Sequence, residues 1–264
     1  MHFTKMHGLG NDYLYVYGEV PENIKELSQK LSERHFGAGS DGMIYISPSH
    51  IADFKMRIFN ADGSEAKMCG NGIRCVGKYV YDKGYTDKTM LKVETLSGIK
   101  TLGLDVRNGK VKEVTVGMGI AEVSEDMKLD IDGKEYTVTP VSMGNPHIVT
   151  FVDDVSLVPL ETIGSKFEHH PAFPDGVNTE FVQVLSDSRV RMRVWERGSG
   201  ITMACGTGAC ATAAAAIAKK LCRFNNPISV DLDGGTLTIF IEENYAVTMK
   251  GPAEFIYEGE TEIC

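Results

Sequence analysis

The sequence lacks three features that would each have pointed to a function class: long apolar runs, dense basic clusters and an apolar leader. No apolar run approaches the roughly 18–20 residues that would span a bilayer. The 36 Asp and Glu residues outnumber the 27 Lys and Arg residues, which leaves a net charge of −9 and no basic cluster suited to nucleic acid. The first residues are too polar for a signal peptide. We therefore expect a cytoplasmic protein that binds neither membranes nor nucleic acid.

Metal-site spacing is also missing, although the 264 residues include six cysteines. No Cys-x-x-Cys pair occurs, and no Cys/His cluster has the spacing of a zinc or iron–sulfur site, so no metal is expected. A reducing compartment argues against structural disulfides. An isolated cytoplasmic cysteine is usually a small buried apolar residue. That interpretation suffices for Cys75, Cys210, Cys222 and Cys264. Cys69 and Cys205 differ because of the sequence around each of them.

The chain contains an internal repeat that includes both of these cysteines. Residues 54–75 align without a gap with residues 190–211, at an offset of 136. The identical pairs in this alignment are Met56 and Met192, Arg57 and Arg193, Cys69 and Cys205, Gly70 and Gly206, and Gly72 and Gly208. Upstream, residues 7–11 resemble residues 141–145 at an offset of 134. Two matches in the same order indicate a duplication of about half the chain.

Each half shows the same order of predicted elements. An alternating segment, 54–59 or 190–195, predicts a strand, and a polar loop leads from it to Cys-Gly-x-Gly and a helical run. Residues 21–36 predict an amphipathic helix, whereas residues 211–218 are apolar on nearly every face and predict a buried one. Asp233-Gly234-Gly235 predicts a hairpin turn. The other strand-like segments are 92–95, 111–116, 137–141, 148–152, 181–184 and 236–242.

These elements predict an α/β protein of the α+β type. It would consist of two pseudo-symmetric halves, each a mostly antiparallel sheet or partial barrel wrapped around a central helix. The active site would lie in the cleft between the halves.

The Cys-Gly-x-Gly segments place each thiol just before a predicted helix. Unpaired backbone N–H groups and the helix dipole favour negative charge there, so we expect the pKa of each thiol to fall from about 8.5 toward neutrality. The glycines let a carboxylate or phosphate reach the backbone amides. If the halves pack face to face, two thiols flank one anion, as stereoinversion at one carbon requires. No lysine stands in a pyridoxal-phosphate context, so no cofactor is expected.

Seven motifs that follow one another along the chain carry a specific resemblance. They are His7–Tyr13, Asn60–Ser64, Met68–Cys75, Gly144–His147, Gly176–Phe181, Glu196–Gly198 and Ala204–Ala209. Together they resemble the diaminopimelate epimerase family, from residue 3 to about residue 258. The resemblance implies cofactor-free interconversion of LL- and meso-diaminopimelate, on the route to lysine and peptidoglycan.

The same resemblance implies a homodimer that binds a small-molecule substrate. It also implies that the last strand, near residues 253–257, returns to the first domain. We therefore expect one domain of residues 1–116 with 252–264 and another of residues 117–251.

Residue roles follow from the resemblance as well. It makes Cys205 the base that abstracts a proton from the LL substrate and Cys69 the acid that reprotonates it, with His147 and Glu196 tuning the ionisation of the thiols. The implied substrate-binding residues are Asn11, Asn60, Gly70, Asn71, Asn145, Asn178, Glu196, Arg197, Gly206 and Thr207. Arg197 suits a bidentate grip on the distal carboxylate, and with Asn178 it would decide substrate length.

Other interpretations of the sequence stay open. A racemase of the histidine or proline type on the same scaffold would keep both thiols, although Asn71 stands where we expect His in the proline group. A cysteine hydrolase could pair one thiol with His147, but it leaves the second Cys-Gly-x-Gly unexplained. A non-catalytic amino-acid-binding module is disfavoured by the two retained thiols. Two positions depart from the family: Ile201, where Glu is frequent, and Gly42, where some members carry Gln.

Overall fold

The structure is a computed structural model that describes residues 1–263. Cys264 lies outside the described residues. The chain divides into two compact units, one formed by residues 1–117 together with the segment that begins at Gly251, and the other by Met118–Lys250. Within residues 1–263, no helix has the length and apolar character needed to cross a membrane.

The first unit is built from strands around one buried helix. The strands are β1 (His2–Gly8), β2 (Asn11–Tyr17), β3 (Gly42–Pro48), β4 (Phe54–Asn60), β5 (Glu65–Ala66), β6 (Met90–Thr95), β7 (Gly98–Arg107) and β8 (Lys110–Ile120), and the helices are α1 (Ile24–Ser32) and α2 (Gly70–Asp82). β2 runs parallel to β3, and β4 runs parallel to β6. Parallel neighbours need a crossover connection, which α1 and α2 supply. The remaining pairs, including β1 with β2 and β3 with β4, are antiparallel.

The second unit repeats this plan. Its strands are β9 (Glu122–Val123), β10 (Met127–Ile131), β11 (Lys134–Ser142), β12 (Pro146–Phe151), β13 (Asn178–Ser186), β14 (Arg189–Glu196), β15 (Gly200–Ile201), β16 (Ile228–Leu232), β17 (Gly235–Ile241) and β18 (Ala246–Pro252), and its α-helices are α3 (Leu160–Glu168) and α4 (Gly206–Ala218). β12 is parallel to β13 and β14 to β16, with α3 and α4 as the crossovers. β19 (Glu254–Glu260) then returns to the first unit and pairs antiparallel with β1.

The order of elements matches between the units at the offset seen in the sequence. α1 and α3 each have nine residues, α2 and α4 each have 13, and both pairs begin 136 residues apart. β3 and β13 also begin 136 residues apart. The predicted fold class, two similar halves with mostly antiparallel strands around a central helix, is confirmed.

Small residues in the two central helices let strands pack closely against them. A Cβ atom at Gly77 of α2 would lie 2.9 Å from Leu104 and 3.0 Å from Leu102, both on β7. In α4 nearly every residue is buried, as its uniformly apolar sequence predicts, and alanines fill its middle turns. These short side chains let the surrounding strands approach the helix axis.

Some local predictions were right and others wrong. Leu232 pairs with Gly235, so a two-residue turn joins β16 to β17 as predicted. The helix predicted for residues 21–36 is shorter, because Glu33 is extended (φ −59°, ψ 122°) and ends it. No sequence pattern predicted α3, although this helix occupies the position in the second half that corresponds to α1 in the first.

Candidate active site

Cys69 is the N-cap residue of α2, where its backbone is extended (φ −136°, ψ 117°). Its Sγ atom accepts a hydrogen bond from the backbone N–H of Gly72 at 3.3 Å, as an N-cap side chain does. A Cβ atom at Gly72 would lie only 2.6 Å from Cδ1 of Ile44 on β3. Glycine at this position therefore allows the first turn of α2 to pack closely against β3.

Asn11, the first residue of β2, links Cys69 to a carboxylate. Its Oδ1 lies 3.3 Å from Cys69 Sγ and accepts a hydrogen bond from Asn71 Nδ2 at 3.4 Å. Its Nδ2 donates to Asp41 Oδ2 at 2.7 Å, which fixes the orientation of the amide. Burial raises the pKa of Asp41, whereas the bond from Asn11 and the Arg34 guanidinium 3.0 Å away lower it. The carbonyl oxygen of Asn11 is thus directed to the thiol.

Tyr13 lies beside Cys69, whereas the Asn60 side chain bonds to the turn after β4. Tyr13 on β2 is buried, and burial raises the pKa of its phenol well above the usual value, with further contributions from Cys69 and Asp41. Tyr13 is therefore a neutral phenol beside the thiol. Asn60, the last residue of β4, donates its Nδ2 to Ser64 Oγ at 3.0 Å. In this structure its amide holds the turn that follows β4.

Cys205 is the N-cap residue of α4 and repeats the geometry of Cys69 (φ −117°, ψ 112°). Its Sγ accepts a hydrogen bond from the backbone N–H of Gly208 at 3.3 Å, and the Thr207 hydroxyl lies 3.6 Å from the sulfur. Asn145 Nδ2 donates to the same hydroxyl at 3.3 Å. Each thiol therefore caps a helix through the third helical residue, with an asparagine from the neighbouring hairpin close by.

His147 and Glu180 form a fully buried pair on adjacent strands. β12 and β13 run parallel, and Val149, two residues after His147, pairs with Glu180. His147 Nδ1 lies 2.7 Å from Glu180 Oε1, and neither side chain has any exposed surface. A Cβ atom at Gly208 would lie 2.6 Å from Glu180 Oε1, so the carboxylate lies against the first turn of α4.

The ionisation of Cys205 differs from the expectation. Burial raises the pKa of its thiol well above the usual value, and the charges of Glu196 and Glu180 raise it further. Hydrogen bonds from the Gly208 N–H and from Thr207 act in the opposite direction. The predicted fall toward neutrality was wrong for Cys205, because burial and two nearby carboxylates outweigh the helix N-terminus.

Glu196, the last residue of β14, contributes one of these carboxylates. Burial raises its pKa and Glu180 adds to the effect, whereas hydrogen bonds with Thr202 and Cys205 lower it. The Thr202 hydroxyl donates to Glu196 Oε1. Although Ile201 replaces a frequent glutamate, the neighbouring Thr202 makes the contact that holds Glu196.

Asn178 and Arg197 are joined through the backbone. Asn178 Oδ1 accepts a hydrogen bond from the Arg197 N–H at 3.0 Å, and its Nδ2 donates to the Pro146 carbonyl oxygen at 2.8 Å. The Arg197 side chain is exposed, and its guanidinium donates to the Asp175 carbonyl oxygen at 3.1 Å. Asn178 therefore orients the loop that carries Arg197.

Glu168, the last residue of α3, holds the same loop and was not among the predicted site residues. One carboxylate oxygen accepts from the Gly198 N–H at 2.8 Å and the other from Trp195 Nε1 at 2.7 Å. The Trp195 ring packs where a Cβ atom of Gly164 would otherwise be, at 2.2 Å. Both acceptor oxygens of this buried carboxylate are thus used to fix the segment around Glu196.

The structure accordingly groups most of the predicted site residues around one thiol or the other. In the first unit these are Asn11, Gly70, Asn71 and Cys69; in the second they are Asn145, His147, Glu196, Cys205, Gly206 and Thr207. Gly42 has a positive φ of 152°, and a Cβ there would lie 2.2 Å from the Phe59 carbonyl oxygen, so glutamine at this position would require a different backbone conformation. No three His, Cys, Asp or Glu side chains among residues 1–263 are grouped to hold a metal ion.

Glu180 is the main residue that sequence reasoning missed. It lies within a motif that carries the family resemblance, but it received no role there. The offset of 136 was the available signal, since it aligns Glu180 with Ile44, a buried apolar residue on β3. A carboxylate in a place where the other half has isoleucine would have drawn attention to it.

Comparison with known proteins agrees with this geometry. The family model for diaminopimelate epimerase matches residues 3–124 and 139–256. The chain belongs to the diaminopimelate epimerase family. Curated family members from Acetivibrio thermocellus and Methanococcus maripaludis are 52% and 50% identical to this chain over 279 residues. These alignments cover 100% of this chain and 99% and 100% of the two relatives.

More distant solved structures share the fold. A PhzF-family phenazine biosynthesis protein from Bacillus anthracis has a TM-score of 0.78 at 16% identity, covering 100% of this chain and 99% of that protein. A probable proline racemase from Agrobacterium radiobacter K84 has a TM-score of 0.76 at 17% identity, covering 100% of this chain and 93% of that protein. At these identities the likeness concerns the fold alone.

Proposed function

We propose that this chain interconverts LL- and meso-diaminopimelate without a cofactor, with Cys69 and Cys205 as its two acid–base groups. The repeated N-cap geometry carries the proposal: each Sγ lies 3.3 Å from the N–H of the third helical residue, in helices 136 residues apart. Membership of the diaminopimelate epimerase family supports the choice of substrate.

The reaction requires the two thiols to start in opposite protonation states and to reach opposite faces of one α-carbon. The Cys205 thiolate removes the α-proton, and the electron pair of the broken C–H bond stays on the carbon. The Cys69 thiol then gives its proton to the opposite face, which leaves a Cys205 thiol and a Cys69 thiolate. Burial and the charges of Glu196 and Glu180 raise the pKa of Cys205 and favour its thiol form, so its proton must leave before Cys205 can act as the base.

Backbone amides at the helix N-termini suit the carboxylate of the reacting head. The N–H groups of the first helical residues have no partner within the helix and attract negative charge. Gly70 and Asn71 supply them in one half, and Gly206 and Thr207 in the other. Their donors would stabilise the charge that develops as the α-proton leaves.

The distal amino-acid head needs a separate set of groups. Arg197 carries an exposed guanidinium on a loop fixed by Asn178, so it can grip a carboxylate without reorganising the backbone. Asn60 and Asn145 offer amides that both donate and accept, as an ammonium and a carboxylate together demand. These four residues are proposed to select a substrate with two amino-acid heads.

NMR of LL-diaminopimelate in D2O with the wild-type enzyme and no added cofactor tests the function. We expect deuterium at one α-carbon and growth of the meso isomer. Cys69→Ala and Cys205→Ala should each abolish inversion, whereas a cysteine hydrolase would survive one of them. Inversion of histidine or proline, with no deuterium exchange in diaminopimelate, would refute the assignment of diaminopimelate as the substrate.

We further propose a cytoplasmic homodimer. β19 pairs with β1 along one edge and exposes three consecutive large apolar side chains, Phe255, Ile256 and Tyr257. An exposed apolar edge strand invites pairing with another chain, and a second copy of this protein is the partner proposed here. Sedimentation equilibrium of the wild type should give twice the chain mass, and a monomer at micromolar concentration would contradict the dimer.

A further inference from the structure

We propose that Glu180 is a positioning residue of the reaction: it holds His147 through Nδ1, leaves Nε2 as the ring atom available for chemistry, and itself lies against the helix turn that Cys205 caps. The inference rests on the proposed function, which requires defined protonation states for Cys205 and the groups around it. It is carried by the geometry of the His147–Glu180 pair and by a comparison of the two halves.

The pair contains two buried polar atoms without a partner in the described structure. His147 Nε2 and Glu180 Oε2 are both inaccessible to solvent and make no hydrogen bond there. Buried polar atoms are nearly always bonded, so two exceptions in one pair need an explanation. Stability does not provide one, because buried polar and ionic pairs can often be replaced by apolar residues without loss. A chemical role explains why this pair is present.

The first half of the molecule serves as an internal control. Glu180 Oε1 would lie 2.6 Å from a Cβ at Gly208, and Ile44 Cδ1 would lie 2.6 Å from a Cβ at Gly72. Both side chains therefore fill the same place against the first turn of the helix that carries the thiol. Because isoleucine satisfies the fold at this place in one half, the carboxylate in the other half is not needed for packing.

The same comparison applies to the histidine. The offset of 134 that aligns Asn11 with Asn145 aligns Tyr13 with His147. One half thus has a neutral phenol and an aliphatic side chain near its thiol, and the other half has an imidazole and a carboxylate. The two halves therefore share the packing around the thiol but differ in the charge placed beside it. Such a difference is expected if one thiol accepts a proton and the other donates one.

Holding Nδ1 determines what the rest of the ring can do. A carboxylate acceptor 2.7 Å from Nδ1 favours the proton on that atom, so Nε2 presents a lone pair or, in the charged ring, a second proton. The ionisable groups that act on Cys205 are Glu196 from β14 and Glu180 from β13. His147 from β12 acts on Glu196 in turn. Glu180 thus affects the thiol both directly and through the imidazole.

Glu180→Gln tests the inference, because an amide keeps the shape and removes the charge. We expect kcat to fall by about 10²-fold, the lower end of what a positioned acid–base group contributes. The acid limb of the pH–rate profile should move to lower pH, because Glu180 raises the pKa of Cys205 and the amide does not. Nitrogen-15 NMR of labelled histidine should show Nδ1 protonated in the wild type and a changed tautomer ratio in the variant, with the His147 signal assigned by its absence from His147→Asn.

Asp126→Asn is the matched control. Asp126 accepts a hydrogen bond from Thr139 Oγ1 at 2.8 Å and pairs with Lys219, the C-cap residue of α4. This carboxylate lies at the far end of the helix from Cys205, about 20 Å along its axis. The control should keep the wild-type kcat, pH profile and His147 tautomer.

The outcomes separate this inference from the proposed function. A wild type that does not epimerise diaminopimelate refutes the function, whereas the histidine tautomer is measured independently of activity. An active wild type with a Glu180→Gln variant of unchanged kcat, pH profile and tautomer overturns the role of Glu180. If Glu180→Gln fails to fold, the role of Glu180 is tested with Glu180→Ile instead. This variant introduces the residue type found at position 44. A folded Glu180→Ile enzyme with reduced kcat and an altered tautomer supports the inference, and wild-type kcat or a second failure to fold overturns it.

Discussion

Alanine substitution of the two equivalent glycines Gly72 and Gly208 should have unequal effects on stability. Each glycine is the third residue of its helix, so alanine adds one methyl group at the same place in both halves. At position 72 the new Cβ meets Cδ1 of Ile44, the end of a side chain that can rotate. At position 208 it meets Oε1 of Glu180, which is held by the buried His147.

The magnitudes follow from these contacts. Overpacking by one methyl group costs about 1–3 kcal/mol, and a helical Gly→Ala change returns about 1 kcal/mol. A shifted χ angle of Ile44 costs about 0.5–1.5 kcal/mol, so Gly72→Ala should be nearly neutral. Gly208→Ala cannot be relieved in this way, so the upper part of the overpacking range, about 2–3 kcal/mol, applies. After the return of about 1 kcal/mol, we expect this variant to be less stable than the wild type by about 1–2 kcal/mol.

Calorimetric unfolding measures the difference between the two variants. One kcal/mol corresponds to about 2–4 °C in a protein of this size, so Gly208→Ala should unfold roughly 2–8 °C below Gly72→Ala. Its kcat should also fall, because the Gly208 N–H that bonds Cys205 and the carboxylate that bonds His147 are both displaced. Equal midpoints for the two variants would refute the reasoning.

Three further predictions concern single residues. Burial raises the pKa of Glu196, so its contribution to stability is present below the ordinary value of 4.5 and is lost as pH rises through the folded-state pKa. Glu196→Gln should therefore have a higher melting temperature than the wild type at neutral pH. If the variant remained more stable than the wild type below the ordinary pKa of Glu, the assigned direction of the pKa shift would be wrong. Iodoacetamide should label half-buried Cys69 well before Cys75, whose burial raises its pKa to about 11, as peptide mass spectrometry can check. Glu168→Gln leaves one buried donor unpaired and should lower the free energy of unfolding by about 1–3 kcal/mol in chemical denaturation. It should also raise KM more than it lowers kcat, because Gly198 anchors the loop of the proposed distal site, and an unchanged KM would refute that link.

The fold was largely predictable because the sequence contains an internal repeat, so each half supports the prediction for the other. An ungapped match at one offset identified both halves, and the central helices begin at the predicted places, directly after Cys69 and Cys205. α3 was not predicted, because a short segment gives only a weak periodic signal. Its apolar residues Leu160, Ile163 and Phe167 have helical spacing, but only the correspondence with α1 would have made the short segment convincing.

The candidate site was predictable where it depends on position along the chain. An N-cap side chain acts on the N–H groups two or three residues later, so the thiol contacts of Cys69 and Cys205 are local and could be inferred from Cys-Gly-x-Gly alone. Asn145 also lies near Cys205, as expected, because its side chain donates a hydrogen bond to Thr207. The amides of Asn60 and Asn178 could not be assigned in this way, since their bonds to Ser64 and to Arg197 arise from turns and loops.

By itself the sequence determined that two thiols cap two equivalent helices, because a cap and its helix lie within a few residues of each other. Only the tertiary structure decided how the second thiol ionises. The pKa of Cys205 reflects burial together with carboxylates from β13 and β14, two antiparallel neighbours that the fold places against the N-terminus of α4. Electrostatic energy depends on distance and burial in space, so the helix N-terminus that the sequence reveals is outweighed by groups that only folding brings together.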